Sequence, residues 1–124
     1  MNNEIRFRIW DKNTKCFVSN PEDYFINSLG HIYYSAAGLL NYLYRHDLEI
    51  SQFTGLKDEN NREICCGDIV SAFHRGPSLQ KYTIEFDLGC FGFRDDNDKQ
   101  GTDFYPLYEL ENITVIGNIY EGEK

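Results

Sequence analysis

The chain has 124 residues, of which 41% are hydrophobic, 15% aromatic and 26% charged. That composition excludes collagen, a coiled coil, a disordered tail and a disulfide knot, and the length fits one domain. Twelve Lys+Arg against twenty Asp+Glu leave a net charge of -8, which disfavours sequence-independent nucleic-acid binding, because that needs a positive field against phosphate.

The chain opens directly on an alternating segment, with no basic region followed by an apolar run, so no secretory signal is expected. No apolar stretch approaches the roughly 20 residues that span a bilayer. The expectation is a cytoplasmic protein with no membrane association, in which Cys16, Cys65, Cys66 and Cys90 are free thiols.

Ile5-Arg6-Phe7-Arg8-Ile9-Trp10 alternates, with Ile5, Phe7 and Ile9 on one face, which predicts a half-buried strand. Asp11–Lys15 is a polar turn, and Cys16-Phe17-Val18 closes a hairpin. Tyr24-Phe25-Ile26 and His31–Tyr34 are short β-prone runs. Ala36, Leu39, Leu40 and Leu43 follow Ser35 at helical spacing, so one short helix over 36–46 competes with a non-helical reading. From Leu48 the chain returns to strands: Leu48–Phe53, a polar turn through Asn60-Asn61, Ile64–Phe73 kinked at Gly67-Asp68, Tyr82–Asp87, Cys90–Phe93 and Ile113–Ile119. Tyr82, Ile84 and Phe86 share one predicted face, and Gly55 and Gly117 mark expected bulges. The expected core is Trp10 with Phe7, Phe53, Phe73, Phe86 and Phe93.

These short strands predict a mainly β protein. The chain is a single domain over 1–124: an N-terminal hairpin at 5–18, an insert at 19–47 and a small SH3-like barrel at 48–121, with at most one short helix.

Chemistry-bearing residues lack the spacing that catalysis or metal binding needs. Cys65 and Cys66 are adjacent, and no Cys-x-x-Cys or His-x-x-x-His accompanies them, so no metal site is expected. A nucleophile would pair one of them with His74 or His46, and buried cysteines are the commoner outcome. Asp96-x-Asp98-x-Gln100-Gly101 starts like an EF-hand loop but has Leu107 at its twelfth position. Asp68 after Gly67 is a candidate general base; the alternative is a carboxylate bonding turn amides at a strand entrance. His31, His46 and His74 read as ordinary polar residues. No cofactor and no catalytic residue is expected.

Three segments together resemble one family. They are Ile5–Asp11; Gln52–Asp58 leading to Glu63-Ile64 and Gly67-Asp68-Ile69-Val70; and Val115–Glu121. Their order and spacing are similar to the YopX-like proteins of bacteriophages and prophages. The resemblance implies a mainly β, barrel-like domain and a phage-derived gene in a bacterium. It implies no activity, so no catalytic residues carry over. Ser19 to Asp47 matches little. The family's aromatic and acidic residues before Gly67-Asp68 are replaced by Cys65-Cys66, and its Asn-Gly turn by Asn60-Asn61.

The tyrosines exceed what one small core accommodates. Tyr33, Tyr34, Tyr42 and Tyr44 fall together in the insert and form the expected interaction surface. The resulting expectation is a non-enzymatic protein-interaction module, homo-oligomeric through that segment or binding a host or phage protein. The alternative is an acidic phage effector that blocks a host nucleic-acid-binding protein; a hydrolase has no supporting constellation.

Overall fold

A computed structural model describes residues 5–35, 43–95 and 103–123. The fold is mainly β, as expected, with a barrel-like curl to its sheet. Among the described residues no helix is long and apolar enough to cross a membrane. The chain divides into two compact units, a smaller one of Phe7–Ser51 and a larger one of Met1–Arg6 with Gln52–Lys124. The predicted hairpin and insert therefore belong to one unit.

In the smaller unit, β1 (Phe7–Asp11) pairs antiparallel with β2 (Cys16–Phe17). Asp11 builds the turn between them: its Oδ1 accepts the Asn13 N–H at 2.8 Å, and the backbone passes through Lys15 at φ 54°. A 3-10 turn at Pro21–Asp23 leads into a second sheet of β3 (Tyr24–Ile26), β4 (Ile32–Tyr34) and β5 (Leu43–Tyr44), in that order. The predicted helix falls mostly on residues 36–42, outside the described residues. Its end is strand: Leu43 and Tyr44 lie opposite Tyr34 and Tyr33, where an aromatic ladder outweighs a marginal helical pattern. Ile9, Ile32 and Leu48 form the core, with Val18, Tyr24, Ile26 and Ile50 packed around them.

Strand β6 (Leu48–Lys57) crosses the boundary, and its second half pairs with β7 (Glu63–Cys65). The register shifts between Phe53 and Lys57, where Gly55 takes φ 91° and makes the bulge the sequence implied. A turn at Cys66-Gly67 leads into β8 (Asp68–Phe73), flanked by β9 (Leu79–Thr83) on one side and β13 (Glu111–Asn118) on the other. A further sheet runs β10 (Glu85–Asp87), β11 (Cys90–Arg94), β12 (Phe104–Pro106). A 3-10 turn at Leu107–Glu109 precedes β13, and β14 (Gly122–Glu123) hairpins back on it. Ile64, Val70, Ala72, Tyr82, Ile84, Phe93, Leu107, Leu110 and Val115 make one continuous core.

Two expectations about that core fail. Phe86 is 59% exposed although Tyr82 and Ile84 are buried. The alternation is intact, but the chain leaves one sheet after Thr83 and enters another at Glu85, so Phe86 stands on an edge strand instead of over the core. Phe7 is also exposed, and Ile5 more so, because β1 buries consecutive Ile9, Trp10 and Asp11 and not an alternating set. Trp10, Phe53 and Phe93 are buried as expected, and Phe73 is half-buried.

Gly92 shows how tightly β11 is held. A Cβ there would meet the Tyr105 carbonyl oxygen at 2.1 Å and the Phe104 ring at 2.7 Å. Any side chain would force β12 away from β11.

Candidate functional site

The predicted interaction residues divide between the two faces of the β3-β4-β5 sheet. Phe25, Tyr33 and Tyr44 are directly opposite one another in the register, and so form one row across the strands. Phe25 is 48% and Tyr44 44% exposed. The Tyr33 and Tyr44 rings meet edge to face at 5.4 Å, and His31 and His46 flank Tyr44 with ring centroids at 5.5 and 6.2 Å. Beside the row, Phe25, Ile26, Asn27 and Tyr33 line an open hollow of about 300 Å³. Asn27 shapes its edge, its Oδ1 accepting the N–H groups of Leu29 and His31 at 3.0 and 2.9 Å.

Tyr34 lies on the other face. It pairs with Tyr24, ring centroids 5.2 Å apart, in the row next to Ile26 and Ile32 and toward the small core. Adjacent strand residues point to opposite faces, so Tyr33 and Tyr34 cannot serve one surface. Tyr42 lies outside the described residues.

Below this sheet the connection is fixed by charge. Arg45 donates to both Asp47 oxygens, at 2.9 and 2.8 Å, and reaches Asp11 at 3.4 Å. The hydrogen bond from Arg45 holds the Asp47 carboxyl down to about 2 and raises the guanidinium in turn.

The residues weighed for catalysis lie at turns and strand starts of the larger unit and at the first hairpin. Asp68 is buried, and its Oδ2 accepts the Cys65 N–H at 2.7 Å, tying off the turn into β8. Cys65 is buried and Cys66 half-buried, while Cys16 is exposed. Among the described residues no group of His, Cys, Asp or Glu is arranged to hold a metal ion. Asp58 anchors the middle turn: it accepts the N–H groups of Asn60 and Arg62 at 2.9 Å each and of Val115 at 2.8 Å, while Asn61 takes φ 64°. Burial pushes its carboxyl up, but these backbone bonds outweigh that and leave it below the usual range.

One cluster escaped the sequence reading. The His74 side chain is only 2% exposed and is clasped on both nitrogens, Nδ1 against Asp95 Oδ2 at 2.6 Å and Nε2 against Glu109 Oε1 at 3.2 Å. Arg75 reaches the same Glu109 oxygen at 2.9 Å and lies over the Tyr105 ring. The imidazole is walled by Phe93 and Tyr105, at 4.9 and 4.5 Å. Both ring nitrogens are thus engaged by carboxylates. A signal did exist. Asp68, Val70, Ala72 and His74 share the parity of β8's buried face, whereas the partners lie 21 and 35 residues away in sequence.

The chain is mainly β, with buried Asp11, Asp58 and Asp68 at three of its turns and an outward aromatic row on one sheet. The family model of the YopX protein matches residues 6–124, and the chain belongs to that family. It is similar to the crystal structure of protein EF1440 from Enterococcus faecalis, with TM-score 0.53 and 24% identity over 95% of this chain and 94% of that one. Similarity at that identity shows the fold alone. A stretch of 79 residues, 63% of this chain, is 33% identical to DNA topoisomerase 2 of Saccharomyces cerevisiae and covers 6% of that protein's length.

Proposed function

We propose that this YopX-family chain is a non-enzymatic protein-interaction module of phage origin that acts in the bacterial cytoplasm and associates with copies of itself. The observation that carries the reading is the Phe25–Tyr33–Tyr44 row on the outer face of β3-β4-β5. Large rings with few rotamers give contact area at low entropic cost, and such residues concentrate where proteins meet. A closed dimer or ring would cover the row and leave the acidic remainder of the chain in water. The absence of an enzymatic role is supported by His74, Asp68 and Asp58, each with its polar atoms engaged by neighbouring protein groups. The short strands of the larger unit support the finer description of an SH3-like barrel.

Light scattering on the full chain tests this. The mass should be a multiple of 14.5 kDa, and the double variant Tyr33→Ser with Tyr44→Ser should return it to a single chain with unchanged circular dichroism. A full-length chain of single mass at high concentration would sink the proposal.

A further inference from the structure

The larger unit carries an open cleft beside the edge strand β10. Gly67 is the first residue of the β8 line to have neighbours on both sides: its N–H donates to the Ile84 carbonyl at 2.7 Å, and its carbonyl accepts the Ile119 N–H at 2.8 Å. Just before Gly67 the chain leaves this line, since the Cys66 N–H donates to the Gln52 carbonyl at 2.8 Å. On one side Glu85-Phe86 continue past that point as β10; on the other Ile119-Tyr120 turn out of β13 toward β14, with their side chains close to Gly67. The space between them is a cleft of about 460 Å³, lined by Cys66, Gly67, Ile84, Phe86, Ile119 and Tyr120 among others.

The backbone of Phe86 faces this slot. Leu88 and Gly89 both have positive φ, 49° and 82°, so β10 and β11 are joined by a two-residue type I′ turn. Such a turn makes Asp87 and Cys90 a hydrogen-bonded pair, and pairs alternate from there. Phe86–Phe91 is then non-bonded, and the Phe86 N–H and C=O point away from β11. Two further facts agree. Pro106, which has no N–H, lies opposite Gly92, so the Gly92 groups must serve β10. The Ile84 groups point to Gly67 and Asp68, and Phe86, two residues on, has the same parity.

The rim is apolar and anionic. Phe86 is 59% and Ile119 58% exposed. Glu85 and Asp87 flank Phe86 on β10; Asp87 is paired with Arg94, and among the described residues Glu85 has no ion pair. A second copy of β10 is a poor occupant, because antiparallel pairing centred on Phe86 would set Glu85 against Asp87. We propose that the slot takes an extended segment of a partner protein, in which one apolar side chain fills the cleft and is flanked by Lys or Arg. The segment adds to the Phe86 edge by main-chain hydrogen bonds, and its cations meet Glu85. This surface lies in the larger unit and is independent of the aromatic row.

Fluorescence anisotropy of the full chain with a labelled Lys-Val-Lys-Phe-Lys-Val-Lys peptide tests it, with amide chemical-shift mapping to locate the contact. Saturable binding is expected, with shifts concentrated at Gly67, Glu85, Phe86 and Ile119. Phe86→Pro deletes the outward N–H and keeps the bonds to β11; it should weaken binding about tenfold. Glu85→Lys should weaken it by about the same factor and admit the matching peptide with Glu in place of Lys. Folding of both variants is checked by their amide spectra. Equal binding of the Lys and Glu peptides by the unaltered chain, shifts located elsewhere, or no saturation by about 1 mM would overturn the proposal. So would self-association abolished by Phe86→Pro, which would make the occupant a second copy.

Discussion

The two units differ most in how their polar groups and cores are arranged. In the larger unit nine buried side chains form one core, and Asp58, Asp68 and His74 tie its turns and strands to that core by internal hydrogen bonds. Among the described residues of the smaller unit, Ile9, Ile32 and Leu48 form the buried cluster, with Val18, Tyr24, Ile26 and Ile50 packed against it. On one face of β3-β4-β5, Phe25 and Tyr44 are exposed. The lesson is that the exposed aromatic row accompanies the smaller of the two cores.

Four substitutions or conditions would sharpen this contrast, beginning with the largest effect. Phe93→Ala removes a fully buried ring from the middle of the larger core and should cost about 4 kcal/mol in denaturant unfolding; a loss under 1 kcal/mol (the size of a surface change) would show that the core is looser than its packing. His74→Ala takes the imidazole from between Asp95 and Glu109 and should cost about 3 kcal/mol. His74→Phe fills the volume but not the hydrogen bonds, so the pair of variants separates packing from polar pairing.

Asp58→Ala leaves the N–H groups of Asn60, Arg62 and Val115 without their acceptor and should cost about 2 kcal/mol. The same residue sets an acid response. Its folded carboxyl titrates below 3.8, so it binds protons less readily folded than unfolded. Its contribution is complete above the unfolded value and is lost as pH falls through the lower folded one. Urea midpoints taken downward from pH 5 should fall, and less steeply in Asp58→Asn. The smallest effect belongs to the smaller unit. Asp47 shifts from 3.8 to about 2, which gives the same sign over that window, but its ion pair with Arg45 is near the surface and screened. Adding salt should flatten the Asp47 response and leave that of Asp58.

The local features of this fold were legible in the sequence because their causes are local. Asp58 and Asn61 in the middle turn, Gly55 at a bulge and the runs Tyr24–Ile26 and His31–Tyr34 each follow from backbone preferences over a few residues. Phe86 was misread because the change of sheet after Thr83 leaves period-2 alternation undisturbed. The His74 cluster depends on partners that only the tertiary fold delivers. Of the aromatic rows, the face was legible as well as the region: Tyr33 shares strand parity with polar His31 and Ser35, and Tyr34 with apolar Ile32.

The smaller unit interrupts the larger one between Arg6 and Gln52. At that junction the Phe53 N–H donates to the Arg6 carbonyl at 2.9 Å, so the two cut ends are already neighbours on adjoining backbone. An interruption with touching ends behaves like a cassette, because the host can be rejoined by a short bridge and the guest exchanged without respacing anything around it. The 45 residues from Phe7 to Ser51 are thus a segment that can be replaced as one block, with the host chain rejoined between Arg6 and Gln52.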